Sequence, residues 1–240
     1  MAGDDNNAQS FGKTLRVFVS YANKDKLLAG ALKKCLERFG LDVFLAHEDI
    51  MPTLEWQKKT LSKIKQTNVL IALLTNNFRD ADYTAQEIGV AIALQKLIIS
   101  LKADVDPYGF INKYQAFKFT YDESKDSDGI TSYDCTKSCA EIIKVLSYYK
   151  EHAYPLKGSL IRALSSSGNF RNSNEIAELL DKFKGWAPAQ LSMLMRSGIE
   201  NRQVYEAHDC KQLFRKLFGE YEGYIDLSLR DELLGLIGEA

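Results

Sequence analysis

From Leu15 to Tyr149 the chain alternates between two apolar periods, and this alternation limits its fold more than any other feature of the sequence. Short runs rich in β-branched and aromatic residues are each followed by a longer segment whose apolar positions recur every three or four residues. Leu15–Tyr21 reads as a strand, and Asn23–Phe39 as a helix with apolar residues at 27, 28, 31, 32, 35, 36 and 39, stopped by Gly40. Leu41–Leu45 is a second strand, Glu48–Thr53 a loop broken by Pro52, and Glu55–Lys65 a second helix. Thr67–Leu74 is almost wholly apolar, as suits a strand covered on both faces. A helix over about Asp82–Gln95 follows, N-capped by Asp80 or Asp82. Then come a strand at Lys96–Leu101, a short one at Ala116–Phe119, an acidic polar loop at 122–129 and a helix at Thr136–Tyr149. Strands alternating with helices predict an α/β fold, a parallel sheet flanked by helices.

Beyond Pro155 the strand pattern is gone. Leu156–Leu164, Ser173–Phe183, Pro188–Arg196, Asn201–Phe218 and Leu227–Ile237 read as helices separated by Gly, Ser, Asn and Pro, with Pro188 at a first helical position and Gly198 at a helix stop. The expected organisation is a polar, disordered start over residues 1–13, an α/β domain over 14–152 and a small all-α domain over 155–240.

Charge excludes one class of function. Thirty-one basic residues stand against 32 acidic ones, so neither part reads as a basic nucleic-acid module. No apolar run reaches the length of a membrane span, and the polar start lacks the basic and apolar stretches of a secretion signal, so a cytoplasmic protein is expected. Cysteines at 35, 135, 139 and 210 read as reduced thiols. Histidines at 47, 152 and 208 have no metal-ligand spacing, so no metal site is expected, and His208-Asp209-Cys210 reads as a surface cluster.

In an open parallel sheet, ligands bind beyond the carboxyl ends of the strands. The loops predicted there carry Ser20–Asn23, His47–Trp56 and Asn76–Glu87. Together they offer hydroxyls, the aromatics Tyr21 and Trp56, and several carboxylates, a set suited to a sugar-and-base ligand. Neither G-x-G-x-x-G nor G-x-x-x-x-G-K-[ST] is present, which disfavours a hydride-transferring Rossmann enzyme and a phosphate-loop nucleotidase. Tyr83 and Glu87 lie four residues apart on one helical face just past the Val69–Thr75 segment. Each candidate has a plainer reading. Ser20 touches ribose or caps the following helix, Trp56 stacks on a base or fills the core, Tyr83 covers the helix start, and Asp49 and Glu55 are ordinary loop and first-turn acids.

Arg16-Val17-Phe18-Val19-Ser20-Tyr21, Val43-Phe44-Leu45 leading to Glu48-Asp49-Ile50-Met51-Pro52 with Glu55-Trp56, Asn68–Thr75, and Tyr83-x-x-x-Glu87-Ile88 occur in this order. Together they resemble the Toll/interleukin-1 receptor (TIR) domain, its bacterial branch above all, over about residues 14–150. The resemblance implies a flavodoxin-like fold and, in one branch, cleavage of NAD+ between nicotinamide and ribose. The family's aromatic-x-x-x-Glu pattern falls on Tyr83, where Trp is usual, and on Glu87; Thr53 follows Pro52 where Gly is usual. The resemblance implies Glu87 as catalyst, Glu55 being the second choice. Ser20, Tyr21, Asp49, Trp56 and Tyr83 are the candidates for holding NAD+, which is substrate and not a bound cofactor. The implied products are nicotinamide and ADP-ribose or a cyclic isomer. The implied setting is antiphage signalling by a homo-oligomer, assembled through the TIR and helical domains, with a downstream effector that senses the product. The alternative is a non-enzymatic adaptor that self-associates through the 48–56 loop.

Overall fold

The computed structural model describes residues 13–46, 54–113 and 115–238, with the backbone alone at 54–56. The readings made for residues 1–12 and for the 48–53 loop lie outside the described residues. The chain divides into two compact units, one spanning Leu15–Ile142 and the other holding Ile143 onward.

The first unit runs β1 (Arg16–Ser20), α1 (Lys26–Arg38), β2 (Asp42–Leu45), α2 (Leu54–Gln66), β3 (Val69–Leu74), α3 (Asp82–Ala93), β4 (Leu97–Lys102) and β5 (Phe117–Lys118). The five strands form one parallel sheet in the order β2-β1-β3-β4-β5, the flanked parallel sheet expected. All six residues of β3 are buried, which is why Val69–Leu74 shows no alternation. Helix α1 ends where Gly40 enters the left-handed region at φ 76°. There the Gly40 N–H donates to the Glu37 carbonyl at 2.8 Å and the Leu41 N–H to the Leu36 carbonyl at 3.5 Å, closing the last turn. Helix α3 ends the same way on Gln95 at φ 53°. The Lys96 side chain then donates to the Lys65 and Thr67 carbonyls at 2.8 and 2.6 Å, tying the end of α3 to the end of α2.

Two expectations in this unit are corrected. The N-cap of α3 is Ala81, and neither Asp80 nor Asp82 takes that place. The 122–129 stretch is not a plain loop, because β6 (Asp122–Lys125) pairs with β7 (Thr131–Asp134) as an antiparallel hairpin. All of β6 is exposed, so no apolar alternation marks it. The Asp126 carboxylate accepts from the Asp128 and Ile130 N–H groups, both at 2.9 Å, and so builds the turn.

The division between units falls within α4 (Thr136–Ser147). The second unit continues with α5 (Lys150–Ser165), α6 (Phe170–Leu180), α7 (Pro188–Glu200), α8 (Arg202–Tyr205), α9 (His208–Glu220) and α10 (Leu227–Ile237), and its described residues form no strand. Leu160, Leu164, Leu191, Leu194 and Phe214 are fully buried in its core. Helix α5 begins earlier than expected and runs through Pro155, whose ring cannot donate to the Glu151 carbonyl. The predicted 201–218 helix is two helices, with Asn201 capping α8 and Ala207 opening α9. The Asn201 amide also donates to the Ser165 and Ser167 carbonyls at 3.1 and 3.0 Å, holding the end of α5. Gly198 lies inside α7 and does not stop it. A Cβ there would sit 2.8 Å from Phe214 and 3.0 Å from Leu233, so this glycine serves close helix packing. Among the described residues no helix is long and apolar enough to cross a membrane.

Candidate functional site

In the order β2-β1-β3, the chain moves outward from β1 to β2 and then crosses back to β3 on the other side. The strand order therefore reverses between β1 and β3, and in open parallel sheets ligands bind beyond the carboxyl ends of the strands at such a reversal. Ser20 is the last residue of β1, and the loop after β3 feeds α3. The buried residues of α3 are Thr84, Glu87, Ile88 and Ala91, one continuous stripe at helical spacing. Glu87 is thus a carboxyl carried on the apolar face of its helix. It is 3% exposed, and Ser20 is fully buried.

The two side chains meet. Ser20 Oγ donates to Glu87 Oε2 at 2.5 Å, across 67 residues of sequence. The other oxygen, Glu87 Oε1, is buried with no hydrogen-bond partner among the described residues. Burial pushes the Glu87 carboxyl from its ordinary 4.5 up to about 7, against the opposite pull of the Ser20 hydrogen bond. A carboxyl so placed takes up and releases a proton near neutrality. It also keeps one oxygen free to receive a donor.

The surrounding loops are braced. Thr84 Oγ1 donates to the Phe78 and Ala81 carbonyls at 3.0 and 2.8 Å, which fixes the turn into α3 without a side-chain N-cap. Phe78 is fully buried and meets Tyr108 edge-on, and the Arg79 guanidinium lies 4.8 Å from the Tyr108 ring centroid. Asp25, in the turn before α1, accepts from Thr75 Oγ1 at 2.5 Å and from Asn77 Nδ2 at 2.8 Å. One carboxylate therefore joins the loop after β1 to the loop after β3. The sequence does not single out Asp25, Thr75 and Asn77, because polar loop residues some 50 positions apart carry no local signal.

Of the residues picked from the sequence, the structure brings Ser20 and Glu87 together. Ser20 caps neither the turn at Asn23–Asp25 nor α1, whose N-cap residues are Ala22 and Asp25. Tyr21 is fully buried, so its ring is part of the core and presents no stacking face in this structure. Tyr83, one turn before Glu87, is 44% exposed. The two share a helical spacing but not an environment. Asp49 lies outside the described residues, as do the side chains of Glu55 and Trp56.

The model of the TIR domain family matches residues 17–132. Those residues form a TIR domain. The chain is also 24% identical over 142 residues, 53% of its length, to a protein of Brachypodium distachyon described as a probable 2' cyclic ADP-D-ribose synthase, BdTIR. It spans 63% of that relative's length. Among solved structures, the TIR domain of the Toll-related receptor TRR-2 from Hydra magnipapillata is 19% identical, with a TM-score of 0.37 over 42% of this chain and 80% of that one. In this TIR domain the matched segment contains Ser20, Tyr21, Tyr83 and Glu87, together with the Asp25 clip.

Proposed function

We propose that the TIR domain cleaves the bond between nicotinamide and ribose in NAD+, with Glu87 as the catalytic carboxylate. The observation that carries this reading is a buried carboxyl at the reversal point of the sheet, held by one hydroxyl and with its second oxygen unpartnered among the described residues. The description of the Brachypodium relative as a probable cyclic ADP-ribose synthase supports the same reading.

The chemistry follows from the substrate. Nicotinamide in NAD+ is cationic and leaves as a neutral base, so its departure needs no acid. The ribose left behind develops oxocarbenium character, and a carboxylate beside it stabilises that charge. Glu87 Oε1 accepts from a ribose hydroxyl, while Ser20, bonded to Oε2, keeps the carboxylate ionised and oriented. Ser20 is thus a positioning residue. Tyr83, exposed at the start of α3, supplies an aromatic surface to the nicotinamide end. Asp49, in the segment between β2 and α2, and Trp56, in α2, are the remaining candidates for holding NAD+. Water as acceptor gives ADP-ribose, and an atom of the same molecule gives a cyclic isomer.

The same reading takes the chain as a homo-oligomer built through its TIR domain and helical region, whose product serves infection signalling through a downstream effector. A scaffold without catalysis gives no reason to bury an ionisable carboxyl where the strand order reverses. Incubating the chain with NAD+ and measuring released nicotinamide tests the proposal. Release by the native chain, and its loss in Glu87→Gln, is the expected result.

A further inference from the structure

Cys35 and Cys135 are 100 positions apart in the sequence, yet the fold places them side by side. Helix α1 packs against β7, and Cys135 is the residue between β7 and the first turn of α4. Cys139 lies one turn further along α4 and also faces inward. The three sulfurs all lie within 4.8 Å of one another, and no other group of potential metal ligands forms among the described residues. Cys139 is fully buried, Cys135 is 3% exposed and Cys35 is half-buried. Cys35 and Cys135 open onto a cavity of about 590 Å³ whose walls include Lys34, Arg38, Asp134 and Thr136.

We propose that Cys35, Cys135 and Cys139 form a three-thiolate site for a thiophilic d10 cation, Zn2+, with the fourth coordination position open to the cavity. The donor set is all sulfur, which selects soft cations over Mg2+ or Ca2+. Zinc–sulfur bonds of about 2.3 Å in a tetrahedron hold sulfurs about 3.8 Å apart, so the observed cluster closes on the ion with side-chain shifts of about 1 Å or less. Two ligands come from the start of one helix and the third from the face of another, so each can turn about its own Cα–Cβ bond. Binding forms three Zn–S bonds and releases three thiol protons, with no change of oxidation state. Three thiolates around Zn2+ leave one net negative charge, and Lys34 and Arg38 on the cavity wall offset it. The three sulfurs come from two elements far apart in sequence, so the metal would tie α1 to the start of α4. Its expected effect is therefore on stability.

The test uses the full chain, reduced and freed of metal, titrated with Co2+ as a spectroscopic probe and then with Zn2+. One Co2+ per chain should bind with a near-ultraviolet thiolate-to-cobalt absorption of three-sulfur intensity, bleached by one equivalent of Zn2+. Zinc should raise the thermal midpoint of the native chain. Cys35→Ser, the least buried of the three positions, should weaken zinc binding by more than the roughly 100-fold typical of outer-sphere changes. Cys210→Ser should leave it unchanged, because that thiol lies outside the cluster and donates to the Ser173 carbonyl at 3.4 Å. A chain that binds no Co2+ stoichiometrically, equal zinc affinity in Cys35→Ser, or a disulfide between any two of the three cysteines in protein purified without reductant would overturn the proposal.

Discussion

Glu87 joins two properties that oppose each other. Its burial raises the carboxyl to about 7 from an ordinary 4.5, so the folded chain holds a proton that the unfolded chain has already released between those values. The stabilising contribution is present in full below pH 4.5, falls as pH rises through the window and is gone above about 7. The shift corresponds to roughly 3 kcal/mol of lost stability across the window. Glu87→Gln has no such titration. The stability of the native chain relative to this variant should decline between about pH 4.5 and pH 7, as measured by denaturant unfolding at each pH; a constant difference would contradict the burial of Glu87 as its cause. Catalysis runs the other way, because stabilising a ribosyl cation requires the carboxylate. The kcat/KM for NAD+ should rise with pH and level off above about 7. Ser20→Ala removes the donor that favours ionisation, so the midpoint of that profile should move up by about one pH unit. A profile that stays in place would mean that Ser20 does not act through Glu87.

At the scale of elements, the sheet and its helices are legible in the sequence because each element carries its own period. Val69–Leu74 reads as a buried strand from its composition, and Gly40 by itself marks the end of α1. What the sequence hides depends on contacts between distant segments. β6 is wholly exposed and so looks like loop, Asp25 meets Thr75 and Asn77 only through the fold, and Cys35 meets Cys135 only because α1 packs on β7. Within the candidate site, Glu87 is picked out in the sequence by its spacing to Tyr83 and by the family resemblance, whereas its place on the buried stripe of α3 is seen only in the fold. Its pairing with Ser20 is not, since a strand-end serine has several local alternatives. Tyr21 looks available as a stacking ring because a residue at the end of a strand can face crevice or core, and here it faces the core. Gly198 resembles a stop signal, yet the closeness of Phe214 and Leu233 is what requires it. Gly198→Ala should therefore destabilise the chain by about 1–3 kcal/mol. Gly30→Ala, in the middle of α1 with no atom near its added methyl, should stabilise it by up to about 1 kcal/mol. Chemical denaturation of the two variants checks both, and equal effects at the two positions would contradict the packing reason given for Gly198.

For the whole molecule, a TIR domain and a helical unit share one chain, and the second unit has its own buried core. If the proposed activity belongs to a homo-oligomer, specific activity should rise with protein concentration in parallel with the assembled fraction seen by sedimentation. A constant specific activity across dissociation would assign turnover to the single chain. Either result leaves the role of Glu87 open to its own test. That test is the release of nicotinamide from NAD+ by the full chain, assayed at high concentration beside Glu87→Gln. Turnover by the native chain and a loss of at least about 100-fold in a variant that remains folded are the expected results. Undiminished release by folded Glu87→Gln would contradict the assignment of Glu87, and no release by the concentrated native chain would contradict the proposed activity itself.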